Sequence, residues 1–298
     1  KGASAAVVSR PLAGNHLLVP DTLKALEALG TFARARAAAK IVGVTGSVGK
    51  TSAKEMIRLA LSAHGSVHAT SGNYNNHIGT PLNLANLPEN AACGVFEMGM
   101  NHQGEIAHLT QMVRPHIAVI TNVEAVHLEF FASVEKIADA KAEIFEGVEA
   151  GGIAVLNADN PHFARLKEAA EKRKLRVVAC GEAESAAVRL LSYAPSAQGS
   201  RIKAAINGKD VDFSLRAVGR HWARTALLVL AVADALSLDL PKTLAALAAF
   251  EEPAGRGKCI SIAAGGGAAT LIDDSYNASP ASMRAAFAKT REVWEGQG

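Results

Sequence analysis

Cysteine is scarce in this sequence. Cys93, Cys180 and Cys259 are the full complement in 298 residues, and no two of them stand at a metal-ligand spacing. That excludes a disulfide framework and a cysteine-built zinc site, and it suits a reducing compartment. The chain is therefore expected to work in the cytoplasm. An excess of one charge is missing too. The 31 Lys and Arg against 28 Asp and Glu leave a net charge of +3. No Lys/Arg cluster marks a phosphate-backbone footprint, so nucleic acid is not an expected partner. Long apolar runs are absent. The stretch near Leu227–Ala233 stops at Asp234, far short of the ~20 residues a membrane span needs. The first residues do not read as a signal peptide. Lys1 stands where an initiator Met would, so the chain is expected to begin inside a longer protein. There is no internal repeat.

What is present reads as globular. Hydrophobic residues make up 49% and charged residues 20%, and the length suits one large domain or two ordinary ones. Ile41–Thr45, Gly94–Met98, Ile117–Thr121, Ile153–Asn157 and Val177–Cys180 are short apolar runs without in/out alternation, each followed by a polar or helical segment. That pattern predicts an α/β fold with a mainly parallel sheet covered on both faces. After the first strand, Ala53, Met56, Ile57, Ala60 and Leu61 keep helical spacing, and Gly65 is placed to end that helix. Beyond Glu182 the texture changes. Leu190–Tyr193, Ile202–Ile206 and Val211–Leu215 are short strands, and Asn207-Gly208 is a hairpin turn signal. Helices are predicted at about 222–236 and 241–250. Residues 251–255 read as a linker, followed by a hairpin around Gly265-Gly266-Gly267 and a helix from Pro280. The last ~45 residues are too few to bury a core alone.

The chemistry starts at Gly46-Ser47-Val48-Gly49-Lys50-Thr51-Ser52, between a strand and a helix. Glycines let backbone N–H groups point inward around phosphate oxygens, and the helix dipole adds positive potential. Lys50 can reach the β/γ-phosphates and Thr51 can ligate Mg²⁺. The eight-residue phosphate-loop pattern wants another Gly where Val44 stands, so the match is to the shorter G-x-x-G-K-T form. A glycine turn capping an ordinary helix is the plain alternative.

Cys93–Glu97 is an apolar strand ending in a carboxylate, which places Glu97 at the same sheet edge as the phosphate loop. A hard carboxylate beside a triphosphate suits Mg²⁺; a surface glutamate at a strand end is the bland alternative. The strand before Asn122 repeats the logic with His127, which spacing alone leaves open between ligand and structural histidine. In the helix expected over 133–146, Lys141 falls in the apolar stripe with Ile137, Ala138 and Ile144. A lysine aimed at the core is paired, modified or functional, unless its stem packs and its head snorkels to water.

Together these blocks resemble the Mur ligase family. Thr45–Ser52 resembles its ATP loop, and Asn73-Tyr74-Asn75-Asn76-His77-Ile78-Gly79-Thr80-Pro81-Leu82 its substrate-loop signature. Glu97-Met98-Gly99, Gly104-Glu105-Ile106, Thr121-Asn122-Val123 with His127-Leu128, and Ala140-Lys141-Ala142-Glu143-Ile144 match the following blocks. Gly219-Arg220-His221, Gly255-Arg256 and Asp273-Asp274-Ser275-Tyr276-Asn277-Ala278 resemble the later ones. The asparagine-rich loop is most similar to the branch that joins D-alanyl-D-alanine to a UDP-N-acetylmuramoyl tripeptide in peptidoglycan precursor synthesis. A sister ligase adding the third residue, a folylpolyglutamate synthase, or a nucleotide-binding module without ligase chemistry are the alternatives.

The resemblance implies ATP and two Mg²⁺ ions. Gly46, Ser47, Gly49, Lys50, Thr51 and Ser52 would hold the nucleotide. Thr51 and Glu97 would hold one ion; Glu97 and His127 would hold the second, supported by Lys141 as its carbamate. Arg256 would face the γ-phosphate and Asp274 the ribose. Asn73, Asn75, Asn76 and Thr80 would lie near the sugar-peptide substrate. At the long helix the family usually has His-Asn-x-x-Asn, whereas His221-Trp222-Ala223-Arg224-Thr225 stands here, leaving Thr225 for the adenine. Three parts are expected: residues 1–38 as the tail of an N-terminal substrate domain, 39–252 as the central ATP-binding domain, and 253–298 as the start of a C-terminal domain. A monomer is expected.

Overall fold

The computed structural model describes residues 2–126, 129–196, 199–264, 267–276 and 278–295. Two short parallel strands, β1 (Ala6–Val8) and β2 (His16–Leu18), precede α1 (Thr22–Arg36). Asp21 starts α1 by accepting from the amides of Leu23 and Lys24, and Arg34 and Arg36 in its last turn suit the negative end of the dipole. Then β3 (Lys40–Thr45), α2 (Lys50–Ser62), β4 (Val67–Ala69), α3 (Gly79–Ala85), β5 (Cys93–Glu97), α4 (Glu105–Val113) and β6 (Ile117–Ile120) follow. Next come α5 (Val134–Ala142) with a 3-10 turn at Glu143–Gly147, β7 (Ile153–Asn157), α6 (Phe163–Lys172) and β8 (Arg176–Gly181). The chain continues through β9 (Val188–Ser196), β10 (Gly199–Ile206), β11 (Lys209–Leu215), α7 (Arg220–Ala235) and α8 (Leu240–Ala248). It finishes with the hairpin β12 (Lys258–Ala264) and β13 (Gly267–Asp273), then α9 (Pro280–Glu295).

Nine strands form one sheet in the order β11-β10-β9-β8-β7-β6-β3-β5-β4. Every pair from β4 to β9 is parallel. The strands after Glu182 extend this same sheet, with β10 antiparallel to both neighbours. At the β10–β11 turn Asn207 and Gly208 have φ of 48° and 81°, the pair of left-handed residues a tight hairpin requires.

Side chains of β3 and β5 alternate between two cores. Val42, Val44 and Val95 meet Met56 and Ile57 of α2 and Leu227 of α7 on one face. Ile41 and Phe96 meet Ile106 and Leu109 of α4 and Ile137 of α5 on the other. Burial on both faces is why these strands read as continuous apolar runs.

Two boundaries differ from expectation. α2 closes on Ala63, which is right-handed, and not on Gly65. A Cβ at Gly65 would sit 2.9 Å from Ala92 Cβ, so close approach, and not helix capping, asks for glycine there. The helix expected over 133–146 tightens to a 3-10 turn after Ala142. The tip of the β12–β13 hairpin, at Gly265 and Gly266, lies outside the described residues.

Candidate functional site

β3 delivers the chain into the phosphate loop at the C-terminal edge of the sheet. Gly46 has φ of 151°, and a Cβ there would lie 2.0 Å from Thr121 Oγ1. Gly49 is the left-handed N-cap of α2 (φ 81°) and gives no side-chain cap, so amides of the first turn face outward as donors for an anion. The loop is pinned to the end of β6. Ser47 N donates to Asn122 O at 2.8 Å and Thr121 Oγ1 donates to Val48 O at 2.6 Å.

Lys50 folds back over this loop, donating to Gly46 O at 2.8 Å and Ser47 O at 3.3 Å. Burial pushes its ammonium below the ordinary lysine value; the Glu97 carboxylate pulls it back up, and Arg256 pushes it down.

Register explains why Glu97 is here: β3 and β5 pair in parallel with Val44 opposite Glu97. The residue is 1% exposed. Its Oε1 accepts from Asn75 Nδ2 at 2.7 Å, while its Oε2 is buried with no partner in the described structure. An unpartnered buried carboxylate oxygen is costly unless a cation meets it. Among the described residues no three His, Cys, Asp or Glu converge to hold a metal by themselves. Isolated hard oxygens beside a phosphate cradle suit Mg²⁺, which keeps waters and shares its ligands with phosphates.

A cavity of about 400 Å³ opens over the loop. Ser47, Gly49, Lys50, Thr51 and Ser52 form its floor, with Glu97, Asn73 and Asn75 at one side. Thr225, Arg256 and Asp274 reach it from α7 and the C-terminal segment. Arg256 donates to Thr51 Oγ1 at 3.1 Å and lies over the Tyr276 ring at 4.0 Å from its centroid. Burial raises the Asp274 carboxyl, and Lys289 and Arg256 oppose that rise. Thr225 donates its hydroxyl proton to His221 O at 2.9 Å, so toward a ligand its oxygen can only accept.

Asn76, Thr80 and Lys141 are not among the residues that line this cavity. Asn76 turns away to accept from the amides of Ile78 and Gly79 at the start of α3. Thr80 is buried, with an unpartnered hydroxyl. Lys141 is 1% exposed, and its ammonium has no hydrogen bond or ion pair among the described residues. Burial drives it well below the ordinary lysine value, the nearby Lys50 charge adds to that, and the Glu143 and Glu105 carboxylates oppose it. His127 lies outside the described residues.

Two buried lysines escaped the sequence reading. Lys54 is 0% exposed. Its place three residues before Ile57 in the α2 stripe is the same signal that marks Lys141. Lys289 lines the cavity from α9, paired with Glu252 and with Gly257 O; those partners are 37 and 32 residues away in the chain, so helical spacing does not announce them.

Residues 44–233 match the Mur ligase middle domain. The UDP-N-acetylmuramoyl-tripeptide–D-alanyl-D-alanine ligase of Rickettsia prowazekii is 36% identical over 98% of this chain and 66% of its own length. The chain thus spans just under two thirds of that relative. A MurF crystal structure from Acinetobacter baumannii superposes with a TM-score of 0.88 at 32% identity, covering 98% of this chain and 62% of that one. The MurF ligase of Thermotoga maritima in complex with ADP gives 0.86 at 26%, covering 98% and 66%. With its phosphate loop, its doubly covered parallel sheet and a family match over most of its length, the chain belongs to the Mur ligase family and carries that family's middle domain.

Proposed function

We propose that this chain is the catalytic core of an ATP-dependent amide-bond ligase that joins D-alanyl-D-alanine to a UDP-N-acetylmuramoyl tripeptide. The observation that carries the reading is the unpartnered Glu97 oxygen, set where the phosphate loop meets the asparagine loop. A relative 36% identical bears that ligase name, and a structural neighbour was crystallised with ADP. The cytoplasm, a monomeric state and the three-part division at residues 38 and 252 belong to the same reading.

The reaction has two displacements. The terminal carboxylate of the tripeptide attacks the γ-phosphorus of ATP, and ADP leaves. The amine of D-alanyl-D-alanine then attacks the acyl carbon, phosphate leaves, and the amine gives up its proton. Such transfers need alignment and charge neutralisation more than a covalent protein group. Loop amides and Lys50 cradle the phosphates. Arg256, docked on Thr51, adds positive charge at the γ-position. Asp274 accepts from the ribose hydroxyls, and Thr225 from the base amino group. Asn75 fixes the plane of the Glu97 carboxylate, and Asn73, Asn76 and Thr80 belong to the loop that meets the sugar-peptide. Thr51 and Glu97 would hold one Mg²⁺, and Glu97, His127 and a carbamate on Lys141 a second. The ions supply charge neutralisation at the transferring group.

The test has two arms. By calorimetry Lys50→Ala should lower ATP affinity by ~100-fold, as loss of a charge-assisted contact worth about 3 kcal/mol predicts. In the full-length protein, ADP release should require both the UDP-linked tripeptide and D-alanyl-D-alanine. Equal ATP binding by mutant and parent, or ADP release indifferent to the dipeptide, would overturn the reading.

A further inference from the structure

The phosphate-loop helix carries a second lysine, fully buried, that no step above uses. Lys54 lies one turn beyond Lys50 but reaches the opposite way, to the end of β4. Its ammonium donates to Thr70 O at 2.8 Å and Gly72 O at 3.2 Å, and pairs with Glu55 Oε1 at 2.8 Å. Three N–H donors meet three acceptors, so the desolvated charge is fully answered. A guanidinium, with its planar fork, does not reproduce this divergent geometry.

The two carbonyls it holds are those from which the asparagine loop departs. Thr70 Oγ1 accepts from Glu97 N at 3.0 Å, which ties the same turn to the strand end bearing Glu97. Gly72, left-handed at φ 52°, launches Asn73 and Asn75, and Asn75 finishes on Glu97 Oε1 at 2.7 Å. On the opposite side Asn83 completes the clamp. Its Oδ1 accepts from Ser71 N at 2.9 Å, and its Nδ2 donates to Tyr74 O at 3.0 Å and Gly79 O at 2.7 Å. Segment 70–79 is thus held between α2 and α3, and Lys54 ties it to the helix that begins at the phosphate loop.

We propose that Lys54 is a positioning residue. It locks the root of the asparagine loop to the phosphate-loop helix, so that the loop and Glu97 present the acceptor carboxylate in fixed register with the γ-phosphate. The proposal rests on the ligase reading above. It separates from a purely structural role because it predicts damage to the alignment of the second substrate with nucleotide binding intact.

Lys54→Met keeps the stem and removes the donors. In this chain, hydrogen–deuterium exchange should speed up at amides 70–79 by at least ~10-fold, with β3 and β6 unchanged and ATP affinity within about 3-fold of the parent. In the full-length protein, kcat for ligation should fall by ~10–100-fold and KM for the UDP-linked tripeptide should rise, while KM for ATP holds, as misplacement of reacting groups predicts. Unchanged exchange at 70–79, or ATP affinity falling in step with kcat, overturns the proposal. If Lys54→Met does not fold, Lys54→Gln is read by the same two criteria. A parent protein that does not ligate would sink the ligase reading, and the exchange and ATP-binding arms would still decide the role of Lys54.

Discussion

Two regions of this molecule that each bury a lysine, the root of the asparagine loop and α5, treat its charge in opposite ways. At the root of the asparagine loop, Lys54 is fully buried and meets two carbonyls and a carboxylate. On α5, Lys141 is buried as deeply and has no hydrogen bond or ion pair among the described residues; the Lys50 charge works against its ammonium, and only the fields of Glu143 and Glu105 oppose that. A fully answered buried charge is a clamp: it rigidifies what it holds. An unanswered one is a standing cost, and a fold keeps such a cost where chemistry uses it. Lysine with a depressed pKa spends more time as the neutral amine, the form that reacts with CO₂. The carbamate would turn repulsion from Lys50 into attraction and offer two oxygens to Mg²⁺. Burial alone therefore says nothing about a lysine's role, whereas the partners at its nitrogen do.

The largest effect that would break this contrast is on activity. In the full-length protein, Lys141→Ala should lower kcat by ~100-fold or more, the scale on which loss of charge stabilisation acts in a closed site. Added short carboxylic acids should partly restore the rate by filling the vacated anion site, and they should do nothing for Lys54→Met. Lys141→Arg should not rescue, because guanidinium keeps its charge and forms no carbamate. Near-parent activity in the Arg variant would show that only a cation or a packed stem is needed at 141.

A second, smaller difference sharpens the comparison through stability. Replacing each lysine by Met removes the charge and keeps most of the volume. At 54 it orphans the carbonyls of Thr70 and Gly72, which should cost about 2–3 kcal/mol. At 141 it removes a desolvated charge that makes no hydrogen bond among the described residues, which should stabilise by ~1–2 kcal/mol. Urea unfolding of the two variants at neutral pH, in CO₂-free buffer, reads the signs directly. The same sign for both would mean that the two sites do not differ in kind.

Much of this was legible from residues alone, and the failures are instructive. The phosphate loop, the placement of Glu97 at the sheet edge and the inward aim of Lys141 all follow from strand–turn–helix order and helical spacing, which are local. The Asn207-Gly208 turn has the left-handed φ values its residue types predict. The contact between Arg256 and Thr51 was not legible from spacing, because it joins positions 205 residues apart and depends on how the C-terminal segment folds back. Asn76 illustrates a different limit. It stands beside Asn75 in one motif, yet Asn75 turns to Glu97 and Asn76 to the amides of α3; adjacent residues in a loop can face opposite ways, and sequence carries no direction for either. Lys54 carries the same stripe signal as Lys141, but it stands directly beside the charged Glu55, with Arg58 one turn on.

The smallest effect expected is a pH dependence at Lys141, and its sign follows from the burial of that ammonium. The Lys141 ammonium titrates well below its ordinary value in the folded chain, and near ~10.4 when unfolded. Between those two points the unfolded state holds a proton that the folded state has released, so stability rises with pH across that window. The penalty is therefore fully present below the folded pKa and disappears as pH climbs through the ordinary lysine range. The stabilisation conferred by Lys141→Met should shrink accordingly between neutral pH and pH 9.5. The background titration of all other groups cancels when each variant is compared with the parent at the same pH. Supplying bicarbonate at neutral pH should shrink the same difference by a second route, since a carbamate removes the unpaired ammonium from the parent and leaves the Met variant untouched. A Lys141→Met difference that stayed flat across pH and did not respond to bicarbonate would mean that the lysine is not titrating in the folded chain, and its burial would then need the same structural account as that of Lys54.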